Sequence, residues 1–294
     1  MRRLAFTRII VCFALILMSL SENAASLSWL PASMRIEMGA ISLLPETFSR
    51  NPLIWTLLDL FIPLALLVAL LGYRARLSLF VGTGAYLVKT GLLRAHNYMY
   101  HPGLVPLQMA FLLLLTPCGD ALSLDARWGR VRPKPEAVYR WALTLVWLPL
   151  VAAYLMAGLN KLTQSGIAWF APDNLRGYLA GNQNRTPQPS MDARAWINLV
   201  PDIFWTGMAL FSVVIELSYI TVLWSRRARW VVPLGATAMH IGIWVLLGPQ
   251  FPDLIVLQLA VFPMEQLWIQ IQSQITRRWS LPSSSPSSSS GGIT

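Results

Sequence analysis

The residues best suited to chemistry are a few ionisable side chains in otherwise apolar segments. Lys161 lies at the far end of the apolar stretch from Trp141 to Leu162, and it is one of only three lysines in a chain with twenty arginines. A lysine partly stripped of water can lose its proton near neutral pH and act as a base or nucleophile. The position of Lys161 therefore predicts a catalytic base. The alternative is a lysine that extends to the lipid headgroups.

Three further polar residues lie at comparable positions. The predicted topology brings His96, at the end of the third apolar segment, to the same membrane face as Lys161. Glu216 and His240 lie in the middle of two consecutive apolar segments, where they could pair or relay a proton. The alternatives are that His96 only caps its helix and that Glu216 and His240 form a structural hydrogen bond between helices.

The remaining buried polar residues have simpler interpretations. We expect Lys89 to pair with an acid or extend to the headgroups, Asp59 to bond locally, and His101 to be a loop residue. The three histidines share no helical spacing, so no metal site is expected. The sequence contains no nucleotide-binding loop, zinc motif or nucleophile elbow.

The elements that must position these residues are membrane helices. The 294 residues are 55% hydrophobic and only 12% charged, whereas a soluble domain has about 25% charged residues. The apolar runs are continuous and close to 20 residues long, which favours helices over a barrel. We predict an all-α integral membrane protein with about eight transmembrane helices, at 4–21, 52–72, 77–95, 98–117, 138–162, 199–224, 230–248 and 252–272.

The distribution of arginine and lysine orients this bundle. With the N-terminus inside, fourteen of these residues fall in cytoplasmic segments and six in outer segments, which predicts N-in and C-in. The net charge of +10 is thereby assigned to topology and contact with anionic lipid rather than to nucleic acid. We expect a bacterial cytoplasmic (inner) membrane protein.

Two spans carry alternatives. The first could be a cleaved signal peptide, but Arg8 inside its apolar region and the poor cleavage site favour a retained helix. The fourth is interrupted near Pro102 and Pro106, so it could start late or be re-entrant. We divide the chain into a membrane domain, residues 1–275, and a disordered Ser/Pro/Gly-rich cytoplasmic tail, residues 276–294.

Three segments together resemble a known family. They are His96-Asn97-Tyr98-Met99-Tyr100 with the following Leu-rich span, Tyr154-Leu155-Met156-Ala157-Gly158-Leu159-Asn160-Lys161-Leu162 with Trp169, and Glu216 with His240-Ile241-Gly242-Ile243. The chain resembles the membrane domain of vitamin K-dependent gamma-carboxylase and its bacterial relatives, the HTTM (horizontally transferred transmembrane) family, over most of residues 1–275.

The resemblance implies a chemistry for the polar residues. In the carboxylase, a membrane lysine is thought to deprotonate a reduced naphthoquinone, with a histidine assisting, before oxidation by oxygen and carboxylation of glutamate. Lys161 matches that lysine and His96 that histidine. The resemblance implies that Asn97, Tyr98, Glu216 and His240 contribute to binding a naphthoquinol cofactor of the vitamin K type.

Two differences from the carboxylase favour quinol chemistry over glutamate carboxylation. The large extramembrane portion of the carboxylase has no counterpart in these residues, and Asn160 replaces its second lysine. A peptide or protein substrate is therefore undefined. A different class of function also fits the sequence, namely a non-catalytic membrane protein that binds a partner, confers immunity or contributes to transport.

Overall fold

A computed structural model of the chain describes residues 1–34, 36, 45–96, 102–182, 196–264 and 266, and these residues contain helices and no strand. Two compact units are present, Met1–Phe262 and Pro263–Thr294. In the second unit the backbone N–H of Gln266 donates to the carbonyl of Pro263. The whole of the predicted tail, 276–294, and its boundary lie outside the described residues.

The first unit is a bundle of long helices joined by short ones. In chain order its α-helices are α1 (Arg2–Ser21), α2 (Ala24–Leu27), α3 (Glu46–Ser49), α4 (Pro52–Leu71), α5 (Ala75–His96), α6 (Leu104–Leu114), α7 (Leu124–Arg127), α8 (Glu136–Ser165), α9 (Pro172–Asn182), α10 (Trp196–Leu199), α11 (Asp202–Ser218), α12 (Ala228–Leu247) and α13 (Pro252–Val261). Short 3-10 helices cover Ala32–Met34, Gly166–Phe170 and Tyr219–Leu223.

The long helices coincide with the predicted spans. Within the described residues, α1, α4, α8, α11 and α12 are long and apolar enough to cross a membrane, counting the 3-10 extensions of α8 and α11. The apolar helices α6 and α13 are shorter, and α5 has 22 residues but is more polar. The all-helical membrane fold is confirmed, whereas the number of eight crossings and the N-in orientation stay predictions.

Proline and a side-chain cap determine several helix starts. The Asn51 side chain accepts from the N–H groups of Leu53 and Ile54, and Pro52 occupies the first turn of α4. Pro252 begins α13 in the same way, and these positions need no N–H partner. Gly103, with φ of +73°, precedes α6. The fourth span therefore starts at Leu104, later than the predicted residue 98.

A half-buried arginine and a fully buried one connect the helix ends on the side that is predicted to be cytoplasmic. Arg3 near the start of α1 donates to the carbonyl of Val261 at the end of α13. The guanidinium of Arg8, which is fully buried, donates to the carbonyls of Leu70, Cys118 and Leu122. The start of α1 thus lies beside the ends of α4, α6 and α13.

Lys89 has the equivalent role at the opposite end of the bundle. Its buried amine donates to the carbonyls of Ser19 and Glu22 at the end of α1 and lies 2.7 Å from Oδ1 of Asp59 in α4. Lys89 pairs with an acid, as one of the two alternatives predicted. The expectation that Asp59 bonds locally is wrong. Asp59 accepts from the N–H groups of Ala24 and Ala25, because α2 folds back onto α4.

Candidate functional site

The site is built where α8 and α11 approach each other closely. Gly158 faces α11 so tightly that a Cβ at this position would lie 3.0 Å from the Cβ of Glu216 and 3.0 Å from Cδ2 of Leu217. Small residues allow membrane helices to come into such contact. Gly158 precedes Lys161 by three residues, so the two helices meet one turn before the lysine.

Lys161 and Glu216 form an ion pair across this contact. The lysine Nζ lies 2.5 Å from Oε1 of Glu216, and the two side chains are 20% and 6% exposed. The amine also lies 5.0 Å from the centre of the Trp169 ring, in the 3-10 helix that follows α8. Lys161 therefore turns inward between helices instead of extending towards the headgroups.

A second set of polar side chains connects α8, α12, α13 and the 3-10 helix Tyr219–Leu223 through hydrogen bonds. The Tyr219 hydroxyl donates to Oε1 of Gln258, and Nε2 of Gln258 donates to the Tyr154 hydroxyl over 2.8 Å. That hydroxyl lies 2.7 Å from Nε2 of His240. The rings of Tyr154 and Tyr219 are stacked with centroids 4.1 Å apart. This hydrogen-bonded chain holds the His240 ring in one orientation.

These hydrogen bonds also indicate which nitrogen of His240 carries the proton. Gln258 uses both amide hydrogens, one for Tyr154 and one for the carbonyl of Leu254. The Tyr154 oxygen accepts one of them. If its own hydrogen goes to Nε2 of His240, only Nδ1 is left without a partner, whereas the reverse direction would leave both that hydrogen and Nδ1 without one. A neutral His240 is therefore protonated on Nδ1. That nitrogen is buried and has no hydrogen-bond partner.

An apolar cavity of about 540 Å³ opens beside Lys161. Its walls come from α9, α11, α12 and the segments that flank them, and six of the lining residues carry aromatic rings. Trp169, Trp205 and Phe251 are among these rings. The cavity is also lined by Phe204 and Phe211 of α11, which are exposed on the outer surface of the bundle, so it reaches the lipid-facing side.

The outer wall of the cavity is held by a polar contact outside the spans. Arg176 of α9 donates to Asp173 and Asp202 and to the carbonyl of Ile197. The hydrogen bond to Asp202 raises the pKa of Arg176 above its usual range. This contact fixes α9, with its cavity-lining Leu175 and Leu179, against the start of α11.

Three buried polar atoms at or near the cavity lack a partner. They are Oε2 of Glu216, Nε1 of Trp169 and Nδ1 of His240. Trp169 lines the cavity, and His240 packs on Phe251, another lining residue, with centroids 5.1 Å apart. A buried polar atom without a hydrogen bond is costly. These atoms would be satisfied by a ligand or water that supplies both a donor and an acceptor.

The structure brings some of the predicted site residues together and separates others. Lys161 and Glu216 are in direct contact, but Glu216 does not pair with His240, because His240 is bonded to Tyr154. His96 lies at the end of α5, where its Nδ1 is 3.1 Å from the carbonyl of Leu92, and not against Lys161. The predicted binding residues Asn97 and Tyr98 lie outside the described residues.

Sequence reasoning missed part of the arrangement. It gave no role to Gln258, and it treated Tyr154 only as part of a motif. The available signal was an amide within the otherwise apolar run of α13, which is costly to bury without a hydrogen-bond partner. In the described ranges, no three histidine, cysteine or acidic side chains form a cluster suited to a metal ion. Cys12 and Cys118 are buried free thiols.

Comparison with known proteins gives one match. A family model described as HTTM domain matches residues 2–266, which is most of the chain and includes every element of the site described above. Neither the curated proteins nor the solved structures contain a match to this chain.

Proposed function

Because the chain belongs to the HTTM family of membrane domains, we propose that it binds a lipid-soluble aromatic quinol in the cavity and that Lys161 removes a proton from it. The observation that carries this proposal is the Lys161 amine at the cavity wall, only 20% exposed and held by Glu216. The finer expectation of oxidation by oxygen, with or without carboxylation, rests on the family resemblance.

The shape and lining of the cavity support an aromatic ligand. Ligand sites usually measure about 300–1,000 Å³ and combine an apolar wall with a few polar groups. The cavity of about 540 Å³ has such a wall, with Lys161 as its one charged lining residue. The unpartnered Nε1 of Trp169 can donate to a ligand oxygen. An opening towards lipid suits a substrate that partitions into the bilayer.

The ion pair can accept the quinol proton as a unit. Lys161 and Glu216 together hold the proton that joins them, either as ammonium with carboxylate or as amine with carboxylic acid. When the shared proton is on Glu216, the Lys161 amine accepts the hydroxyl proton of a bound quinol, and both side chains are then protonated. The ammonium then lies beside the oxygen that has become negative, which stabilises that charge in a site of low dielectric.

Two histidines, His240 and His96, are considered for an assisting role in this chemistry. The Nδ1–H of His240 is oriented by Tyr154 and is free to donate to a ligand oxygen or bridging water. We assign it a binding role together with Glu216. The assisting role of His96, implied by the family resemblance, requires a contact that this conformation lacks. His96→Gln tests that role separately from the Lys161–Glu216 pair.

The experiment compares purified wild type with Lys161→Ala and Lys161→Arg in naphthoquinol oxidation by dioxygen. Binding is measured in parallel, from quenching of tryptophan fluorescence by oxidised naphthoquinone. We expect both variants to lose turnover at least 100-fold, since general acid–base catalysis contributes roughly 10²–10⁴-fold and arginine cannot act as the base. Asn160→Ala, an exposed neighbour, is the control and should behave as wild type. Full activity of Lys161→Arg would exclude the base role.

A non-catalytic role is the second candidate, and the ion pair is the observation that favours it. A lysine neutralised by a neighbouring carboxylate can serve only to fix α8 against α11. Partner binding, immunity or transport would then be the function. This candidate predicts that folded wild-type protein shows neither quenching by naphthoquinone nor turnover that depends on Lys161.

A further inference from the structure

A second cavity, of about 410 Å³, lies at the end of the bundle that is predicted to be cytoplasmic. We refer to it as the basic pocket. It lies between the start of α5, the segment after α6 and the segment before α8. Five cationic residues and two acidic residues line it, namely Arg74, Arg76, Arg130, Arg132, Lys134, Asp120 and Asp125.

The two carboxylates are already engaged with the protein. Both oxygens of Asp125 accept backbone N–H groups, from Arg74 and Ala75, each at 3.0 Å. Asp120 accepts the Tyr139 hydroxyl over 2.7 Å. The carboxylate of Asp125 fixes the turn between α4 and α5, where Arg74 adopts a φ of +43°. The acids therefore build the pocket, and the five cations exceed them in charge.

Several of the cationic groups retain free donors. The side chains of Arg132 and Lys134 are exposed and have no hydrogen bond or ion pair. Arg130 lies 3.9 Å from Asp125, beyond hydrogen-bond distance, and its guanidinium stacks over Trp128. Guanidinium and ammonium groups converging in one concave site match the oxygens of a phosphate group.

The surroundings of the basic pocket are apolar on one side. Leu77 of α5 lines it and is 55% exposed, and Trp128 beside Arg130 is 51% exposed. Leu77 lies in the first turn of α5 and Trp128 directly follows the short α7, and tryptophan is enriched at the level where headgroups meet hydrocarbon. A ligand of this pocket therefore has both a phosphate and an apolar part within reach.

We propose that the basic pocket binds the phosphate of an anionic phospholipid, with an acyl chain along Leu77 and the free donors of Arg132 and Lys134 on the phosphate oxygens. Basic pockets between membrane helices on the cytoplasmic side are suited to acidic headgroups. This site is separate from the quinol cavity at the other end of α8, and the proposal does not depend on the proposed function.

The test uses the full chain in a neutral detergent with added phosphatidylglycerol, phosphatidylcholine or inorganic phosphate. Binding is measured from the thermal unfolding midpoint and from lipid adducts in native mass spectrometry. We expect phosphatidylglycerol to bind and raise the midpoint, and the other two to have little effect. Each basic residue contributes about 1 kcal/mol near an anionic surface, so Arg132→Gln with Lys134→Gln should weaken binding by roughly tenfold or more.

A matched pair of substitutions distinguishes a specific site from general charge. Arg127→Gln with Arg140→Gln also removes two positive charges, but from exposed positions that do not line the pocket. This control should retain the wild-type affinity. Equal weakening by the two double variants, equal binding of phosphatidylcholine, or binding of inorganic phosphate without binding of the lipid would each overturn the proposal.

Discussion

The Tyr154 hydroxyl lies 2.7 Å from Nε2 of His240, and it also accepts a hydrogen bond from Nε2 of Gln258. This relationship assigns the proton of a neutral His240 to Nδ1. The chain has only three histidines, so the tautomer can be measured by nitrogen NMR on histidine-labelled protein. We expect one histidine with a protonated Nδ1 and an unprotonated Nε2. In Tyr154→Phe, Nε2 loses its donor and should become the protonated nitrogen.

The same substitution should lower stability by a modest amount. Tyr154→Phe removes two buried hydrogen bonds, those with His240 and Gln258, and each costs about 1 kcal/mol. Tyr219→Phe removes one bond at the other end of the hydrogen-bonded chain, so it should cost about half as much without changing the His240 tautomer. A Tyr154→Phe variant that keeps the wild-type nitrogen spectrum would contradict the assignment.

The ion pair between Lys161 and Glu216 should be visible in a double-mutant cycle. Removing one member, as in Lys161→Met or Glu216→Leu, leaves the other charge buried and should cost roughly 3–5 kcal/mol. The double variant should recover most of that loss, because two apolar side chains of similar volume can replace a buried pair. Unfolding in a denaturing detergent gives the free energies of unfolding of wild type, the two single variants and the double variant. If the effects of the two single substitutions add up in the double variant, the pair is not coupled.

The close approach of α8 and α11 makes Gly158 sensitive to any side chain. In Gly158→Ala the new Cβ meets Glu216 and Leu217 at 3.0 Å, so the helices must separate. Overpacking of this kind costs about 1–3 kcal/mol. Gly84→Ala in α5 is the control, because a Cβ there has no atom within 4 Å and alanine favours a helix. We expect a lower unfolding midpoint for the first variant only.

Glu22, which follows α1 and lies outside the spans, should make stability depend on pH. Burial raises its pKa to about 7, despite the opposing effect of Lys89, and Asp253 and Asp59 add to the increase. The folded pKa exceeds the unfolded value of about 4.3, so the folded protein holds the proton more tightly. The resulting stabilisation is complete below the unfolded pKa and is lost as the pH rises through about 7.

Replacing Glu22 by glutamine removes this dependence. Above pH 7, Glu22→Gln should unfold at a higher temperature than wild type, by a few degrees if the gain is about 1 kcal/mol. Below about pH 4.5 the two midpoints should converge. Glu136→Gln, an exposed carboxylate at the start of α8, should leave the profile unchanged. Parallel profiles for wild type and Glu22→Gln over the whole range would refute the assignment.

The positions of the helices could be predicted from the sequence because apolar length alone selects a membrane span. Pro52 and Pro252 gave the starts of α4 and α13 to the residue, since proline is favoured in the first turn, where the missing N–H has no helical partner. The end of α13 at Val261 was predicted too late, at residue 272. Its apolar character continues beyond the helix, and hydropathy does not register where a helix stops.

The partners of the polar residues could not be predicted. Periodicity places Glu216 on one face of α11 but does not say which neighbouring helix covers that face. Similar depth in the membrane suggested His240 as the partner of Glu216. The close contact of α8 and α11 at Gly158 instead places Glu216 beside Lys161. In the same way, Asp59 was expected to bond locally because the fold of α2 over α4 is a tertiary feature. Side-chain partners follow from how the helices pack, which a linear pattern does not contain.

The carbonyls that bind Arg8 are separated from it by much of the chain and are synthesised after it, at Leu70, Cys118 and Leu122. A nascent chain therefore carries an unsatisfied guanidinium in its first helix until residue 122 has left the ribosome. A charged group cannot rest alone among lipid tails without cost. We therefore expect the first helix to keep the Arg8 guanidinium in a hydrated or headgroup environment until α4, α5 and α6 have been made.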